Sequence, residues 1–156
     1  MEFDSRAFRS ALGQFATGVT VVSVRSGGEV HGMTANAFTS VSLEPPLVLV
    51  CVGKKNRTHA LIERERKFGV SVLAEEHENV SRHFAGARDI PVQITWIEEG
   101  VGTPVIKESL AWLDCTLWQT YDGGDHSIFV GKVEALGAPG GKPLIFFQGA
   151  YRRLAE

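Results

Sequence analysis

Residues 32–53 read GMTANAFTSVSLEPPLVLVCVG, and the two halves of this stretch have opposite characters. The first is small and polar, with Thr34, Ala35, Asn36 and Ala37 in a row. Short side chains there leave the backbone amides reachable, which suits a flat ligand with polar edges lying against the main chain. The second half, after Pro45 and Pro46, is an unbroken apolar run. Two adjacent prolines cannot continue a ladder inside a sheet, so residues 44–46 turn the chain. Residues 47–52 then read as a strand buried on both faces, and residues 30–43 as one long strand before it.

Outward from this stretch, turn signals recur every few residues. Asp4 or Ser5 can cap a short helix carrying Phe8, Ala11, Leu12 and Phe15 on one face, with Gly18 as its end. Residues 17–24 are β-branched and strand-like, and Ser26-Gly27-Gly28 marks a hairpin turn. After the signature stretch, residues 53–57 (GKKNR) form a basic loop, followed by a helix over 58–66. Residues 67–73 alternate as a strand, with Phe68, Val70 and Val72 on one face. A second short helix covers 75–86, ended by Gly86. Residues 87–102 read mostly as loop, with a short strand near 94–97. Two longer strands, 111–121 and 127–136, flank Asp122-Gly123-Gly124-Asp125, a hairpin signal. A Gly/Pro turn at 138–142 leads to a last apolar strand at 144–147. Many short strands and three short helices describe a mainly β protein, a barrel with short peripheral helices. Strand–helix alternation and a GxGxxG motif are both missing, which argues against a Rossmann fold.

The bulk properties fit this reading. At 156 residues, with 44% hydrophobic and 22% charged residues, the chain suits a single domain over 1–156 with a sizeable core. A net charge of -2 argues against nucleic-acid binding. No apolar run approaches the ~20 residues of a membrane span. The opening MEFDSRAFRS lacks the basic start and apolar block of a signal peptide, so a cytoplasmic location is expected. Cys51 and Cys115 each lie in an apolar run and are expected as free thiols. The histidines at 31, 59, 77, 83 and 126 have no ligand spacing, so no metal is expected. Glu75-Glu76 and Glu98-Glu99 are adjacent pairs, which point oppositely on a strand and read as solvated charge.

Over residues 8–154 the chain resembles the flavin reductase-like family, the NAD(P)H:flavin oxidoreductase components of two-component flavin monooxygenases. The resemblance rests on the signature stretch, on Phe84-Ala85-Gly86, and on Gly124-Asp125-His126. It implies a Greek-key split β-barrel of the FMN-binding type, arranged as a homodimer with each flavin near the subunit interface. It also implies hydride transfer from NADH or NADPH to FMN or FAD, with reduced flavin passing to a separate monooxygenase.

The resemblance assigns roles residue by residue. Thr34, Ala35, Asn36 and Ala37 line the flavin ring, while Ser40, Val41 and Ser42 serve its dimethylbenzene side or ribityl chain. Donors near N1 and O2 of the ring favour its reduced form, where negative charge grows. The loop after the strand carrying Cys51 and Val52, with Lys54, Lys55, Asn56, Arg57 and Thr58, holds the phosphate. That role suits cations beside a helix N-terminus, and which cation points inward stays open. Thr58 can equally be read as a helix cap. Phe84, Ala85 and Gly86 are flavin contacts by resemblance; from the residues alone, Phe84 is core and Gly86 a helix end.

His126 is the catalytic assignment. Its role is to orient the nicotinamide through a hydrogen bond to the carboxamide, because hydride transfer needs alignment more than an acid or base. Without the family context it reads as a solvated turn residue. Family members often carry Arg-Gly-Arg-Tyr near the C-terminus. Here Gln148 and Ala150 replace the arginines, which weakens an NADPH preference, and Tyr151 remains to stack near the flavin. Two rival functions fit the same fold: a flavin-binding or storage module without turnover, and an oxidase acting on a phosphorylated pyridine. The second would want another basic cluster, and none comparable to 54–57 exists.

Overall fold

The computed structural model describes residues 2–97 and 99–155. Helix α1 (Ser5–Leu12) is capped by Asp4, whose carboxylate accepts from the Arg6 amide, and closes at Gly13. It ends well before Gly18, because Thr17 and Gly18 are drawn into a ladder as strand β1 (Thr17–Gly18). The chain continues through β2 (Thr20–Ser26), β3 (Glu29–Ala35), β4 (Phe38–Leu43), β5 (Pro46–Gly53), helix α2 (Arg57–Glu65) and β6 (Lys67–Val72). A 3-10 turn (Glu75–His77) leads into α3 (Glu78–Phe84), then β7 (Trp96–Ile97) and β8 (Val105–Ile106). Last come β9 (Ala111–Gly123), β10 (His126–Gly137), β11 (Ile145–Phe147) and β12 (Ala150–Arg152).

Seven strands form one antiparallel sheet in the order β3-β2-β6-β9-β10-β5-β4. Its two outer strands, β3 and β4, are consecutive in the chain and joined only by Asn36 and Ala37. The sheet must therefore curl until its edges meet at that corner, which is the split of the barrel. A single strand over 30–43 could not lie on both edges, so the expected long strand is broken there. The corner is pinned by the Phe38 amide donating to the Asn36 carbonyl at 2.9 Å and the Cys51 amide donating to the Ala37 carbonyl at 3.0 Å.

Inward-facing residues of the strands fill the interior. Val22, Val50, Val52, Phe68, Val70, Cys115 and Phe129 are buried together, with Leu61 and Ile62 of α2 closing one side. Each large apolar side chain removed from water this way contributes about 1.5–3 kcal/mol. Packing leaves no room for a Cβ at Gly131, where it would lie 2.6 Å from the Phe68 ring. Strand β5 alternates: Val48, Val50 and Val52 are buried, while Leu47, Leu49 and Cys51 are only half-buried. The expectation of burial on both faces is corrected accordingly, since the outer face of β5 has no layer above it in this chain.

A second cluster, with Val19, Val21, Leu73, Phe84 and Leu144, sits under α3. Two ladders escape the sequence pattern. β7 pairs with β8, and β11 turns through Gln148 (φ 52) and Gly149 (φ 73) into β12.

Candidate functional site

The basic loop after β5 is short because it must deliver the chain straight into α2. The Asn56 side chain accepts from the Thr58 amide at 2.9 Å, so Asn56 is the N-cap. The reading of Thr58 as cap is corrected: it lies inside the first turn and is only 3% exposed. A cleft of about 570 Å³ opens where this turn faces β3 and the end of α3, lined by His31, Gly32 and Thr34, by Asn56, Arg57 and Thr58, and by Phe84, Ala85, Gly86 and Arg88. Gly32 is required here, because a Cβ would stand 2.9 Å from the Phe84 ring. A smaller cavity of about 190 Å³, with Ala35, Asn36 and Tyr151 in its lining, shares Thr34 and Ala85 with the first. The two spaces therefore adjoin along the small-residue segment.

Helix α3 is fixed against this segment from two sides. The Thr34 hydroxyl donates to the Ser81 carbonyl at 2.6 Å. The Ser81 and Tyr151 hydroxyls share a hydrogen bond at 2.7 Å, and the Arg82 guanidinium lies 4.9 Å from the centre of the Tyr151 ring. Tyr151 thus anchors α3 as well as lining the smaller cavity.

The β9–β10 hairpin is knitted to the basic loop. His126 stands opposite Gly53 in the ladder, and the Lys54 amide donates to the Asp125 carbonyl at 2.9 Å. The Lys54 ammonium pairs with Asp122 and holds that carboxyl below its usual range. His126 Nδ1 lies 2.7 Å from Asp125, a hydrogen bond that lowers the Asp125 pKa. A buried contact lies behind the hairpin, with His59 Nε2 of α2 2.7 Å from the Ser127 hydroxyl. Among the cations left open by sequence, Lys54 is committed to Asp122, Lys55 lines neither cavity, and Arg57 lines the large cleft.

The structure brings Thr34, Asn56, Thr58, Phe84, Ala85 and Gly86 to the large cleft, and Ala35, Asn36 and Tyr151 to the smaller one. Ala37 sits at the barrel corner, and Ser40, Val41 and Ser42 lie on the β4 edge. Cys51 is half-buried, and Val52 is buried in the core, so only its main chain could meet a ligand. Lys55 and His126 are exposed beside the cleft loop. Arg88 escaped the sequence reading. It donates to the Gly32 carbonyl at 3.3 Å and stacks 5.3 Å from the Phe84 ring centre. Its signal was its place two residues after Gly86, in a stretch read as loop. No group of three His, Cys, Asp or Glu able to hold a metal occurs among the described residues. Glu75 is half-buried, Glu76 and Glu99 are exposed, and Glu98 lies outside the described residues.

The model of the flavin reductase like domain matches residues 12–155. This chain belongs to that family. Among curated relatives of the flavin reductase like proteins, the reductase component of 4-hydroxyphenylacetate 3-monooxygenase from Thermus thermophilus is 49% identical over 150 residues, covering 95% of each protein. An NADH-dependent flavin reductase from a Rhodococcus species is 44% identical over 149 residues, 94% of this chain and 84% of the relative. Among solved structures, flavin reductase PheA2 in its native state superposes with a TM-score of 0.94 at 44% identity, covering 99% of this chain and 100% of that one. The Streptomyces globisporus NADH:FAD oxidoreductase SgcE6, in complex with NAD and FAD fragments, gives 0.89 at 42% identity, covering 99% and 97%. The split barrel expected from sequence is the fold found.

Proposed function

We propose that this chain is an NADH-dependent flavin reductase, taking hydride from a nicotinamide and supplying reduced FMN or FAD to a separate monooxygenase. The carrying observation is the cleft itself, walled by the α2 N-terminus and floored by the small residues of β3. The residues fit a flavin. Gly32 keeps the floor flat, Thr34 to Ala37 offer short side chains, and the first turn of α2 offers amides and Arg57 to a phosphate. When bound, a flavin supplies the hydride acceptor that no side chain of this protein can provide.

The work of the chain's own groups is binding and alignment. Thr58 and the amides at the start of α2 hold the phosphate. Thr34, Ala35, Asn36 and Ala37 orient the ring, with Ser40, Val41, Ser42 and the main chain at Cys51 and Val52 beside it. Phe84, Ala85 and Gly86 close the opposite wall, and Tyr151 holds α3 in register. His126 aligns the nicotinamide, carried on a hairpin bound to the same loop that enters α2. The absence of arginine at 148 and 150 supports NADH over NADPH.

We further infer one domain over residues 1–156 acting as a homodimer in the cytoplasm. Exposed Phe8, Leu12 and Phe15 on and after α1, and Leu43 at the end of β4, support a partner surface. The free thiols of Cys51 and Cys115 suit a reducing compartment. Among the described residues no helix is long and apolar enough to cross a membrane.

The test is oxidation of NADH and of NADPH by flavin-stripped protein given FMN, FAD or riboflavin. Saturable NADH oxidation with a nucleotide flavin is expected; tight flavin binding without turnover would leave the storage module in its place. His126→Ala should slow reduction by NADH about tenfold or more while flavin affinity stays constant. Unchanged reduction kinetics would remove His126 from the reaction.

A further inference from the structure

His126 stands between two residues that cannot hold it. Its directly opposed partners in the ladders are both glycine, Gly53 of β5 and Gly123 of β9, and neither has a side chain to form a cross-strand pair. The His126 ring bonds to Asp125, whose side chain is 93% exposed. A solvated pair of this kind fixes geometry weakly. A residue that aligns a nicotinamide therefore needs an anchor elsewhere.

The next residue of β10 supplies one. Ser127 is buried, and its hydroxyl shares the 2.7 Å hydrogen bond with His59 Nε2, also buried. His59 follows Thr58 in the first turn of α2, the turn that faces the large cleft. The bond thus joins the neighbour of a cleft residue to the neighbour of His126. The imidazole is itself confined: it lies 4.9 Å from the Phe129 ring, tilted by 57°, and Glu63 Oε2 stands 3.8 Å from its Nδ1. Carboxylate, imidazole and hydroxyl follow one another as in an acyl-transfer triad. Ser127 lines neither cavity of the site, however, so no substrate reaches it as a nucleophile. Nor does stability call for the pair, since two apolar side chains of the same shape can replace such partners at little cost. What a polar pair in an apolar core does is select one arrangement. A shift of β10 against α2 would leave both groups buried without a partner.

We propose that His59 and Ser127 are positioning residues for hydride transfer, fixing the start of β10 against α2 so that His126 meets the nicotinamide at a set distance from the flavin cleft. The inference rests on the flavin reductase reading and on the role given there to His126. The pair acts on alignment and not on flavin binding. Helix α2 keeps its place through Leu61 and Ile62 and keeps its cap at Asn56, so the cleft survives loss of the bond. The start of β10 has no comparable apolar anchor, because Ser127 takes the first inward position and Phe129 the next. Hydride transfer is sensitive to small displacements of the aligned groups, which is where the loss should be felt.

The experiment follows reduction of the flavin-loaded protein by NADH in a stopped-flow instrument, with flavin affinity measured in parallel by fluorescence quenching. Ser127→Ala should slow reduction about fivefold and leave flavin affinity within about twofold. His59→Gln, whose amide can still reach Ser127, should keep most of the wild-type rate. The deciding comparison adds Ser127→Ala to His126→Ala. If the pair works through His126, the added change should alter the rate by no more than about twofold, whereas a general support of the fold would cost the same fivefold in both backgrounds. That equal cost would overturn the proposal, as would unchanged reduction in Ser127→Ala. Flavin affinity falling in step with the rate would overturn it too, by moving the effect to α2. If Ser127→Ala does not fold, His59→Phe combined with Ser127→Ala makes both partners apolar and carries the same comparisons. Wild-type reduction by His126→Ala alone would strike down the role of His126 and the inference with it. That result is distinct from failure of the inference alone, in which His126→Ala is slow and Ser127→Ala is not.

Discussion

Helices α1 and α2 are nearly equal in length, 8 and 9 residues, and start in the same way, with an Asx side chain accepting from the amide two residues on. Their burial is opposite. α1 buries none of its residues, whereas α2 buries Thr58, His59, Leu61 and Ile62. Local rules are satisfied equally in both, so the difference is tertiary. α2 lies over the open side of the barrel and supplies apolar side chains to the interior, and its polar start is thereby held at the cleft. α1 carries an apolar face that its own chain covers only in part, with the Phe3 ring edge-on to Phe8 at 5.3 Å: Phe8 is still 49% exposed and Leu12 58%.

Four substitutions would break or sharpen this contrast. Ile62→Ala should destabilise the protein by about 2–5 kcal/mol in urea unfolding, because it opens a cavity where α2 meets the core. A loss below about 1 kcal/mol would mean that α2 is held by something other than its apolar face.

The core beneath α2 can be probed through Cys115, whose thiol is pushed up to about 12, chiefly by burial and then by Asp114 and Glu134. In the unfolded chain the thiol ionises near its ordinary 9.0. Stability from this group is therefore complete below that value and is lost as pH rises toward the folded one. Between these limits the wild type should lose up to about 1.4 kcal/mol per pH unit more than Cys115→Ala. Identical slopes in urea unfolding across that window would show that the thiol is wetter than its burial implies.

Thr58→Val should leave folding intact, because Asn56 is the cap, and weaken flavin binding by about 1 kcal/mol. An unchanged dissociation constant would reduce Thr58 to a packing residue. Phe8→Ser on α1 should change protomer unfolding by no more than about 0.5 kcal/mol. Its effect should appear in sedimentation velocity, as dimer converting to monomer. A wild type that already sediments as a monomer would remove the homodimer and leave the α1 face without a partner.

The same contrast explains what could be read in advance. Alternation marked β6, the Asp122–Asp125 glycines marked the β9–β10 hairpin, and Asn56 to Thr58 marked a loop running into a helix. All of these are properties of neighbours in sequence. The break at Asn36 and Ala37 was not readable, because it arises from the demand that one stretch of chain lie on both edges of a closed sheet. Likewise, the apolar run of β5 could not reveal that Leu47 and Leu49 face outward from a single layer. Arg88, which lines the large cleft, was missed for a related reason: its contacts are with Gly32 and Phe84, which lie in other elements. The family resemblance pointed to Phe84, Ala85 and Gly86, which line the cleft, but did not extend to the arginine beyond them.

Closure of the sheet through β5 and β10 has a kinetic consequence. Pairs such as β2–β3 and β9–β10 are hairpins that form from nearby segments, but β5 meets β10 only after the intervening chain has folded back. The His59–Ser127 hydrogen bond, which ties α2 to β10 beside this seam, joins residues 68 apart in sequence. Such long loop closures are entropically late steps. The seam sets His126 opposite Gly53 and the loop leading into α2, so the candidate site takes shape at the end of folding. A partly folded chain can therefore have hairpins and helices yet no place for a nucleotide, and catalytic competence reports that the barrel has closed.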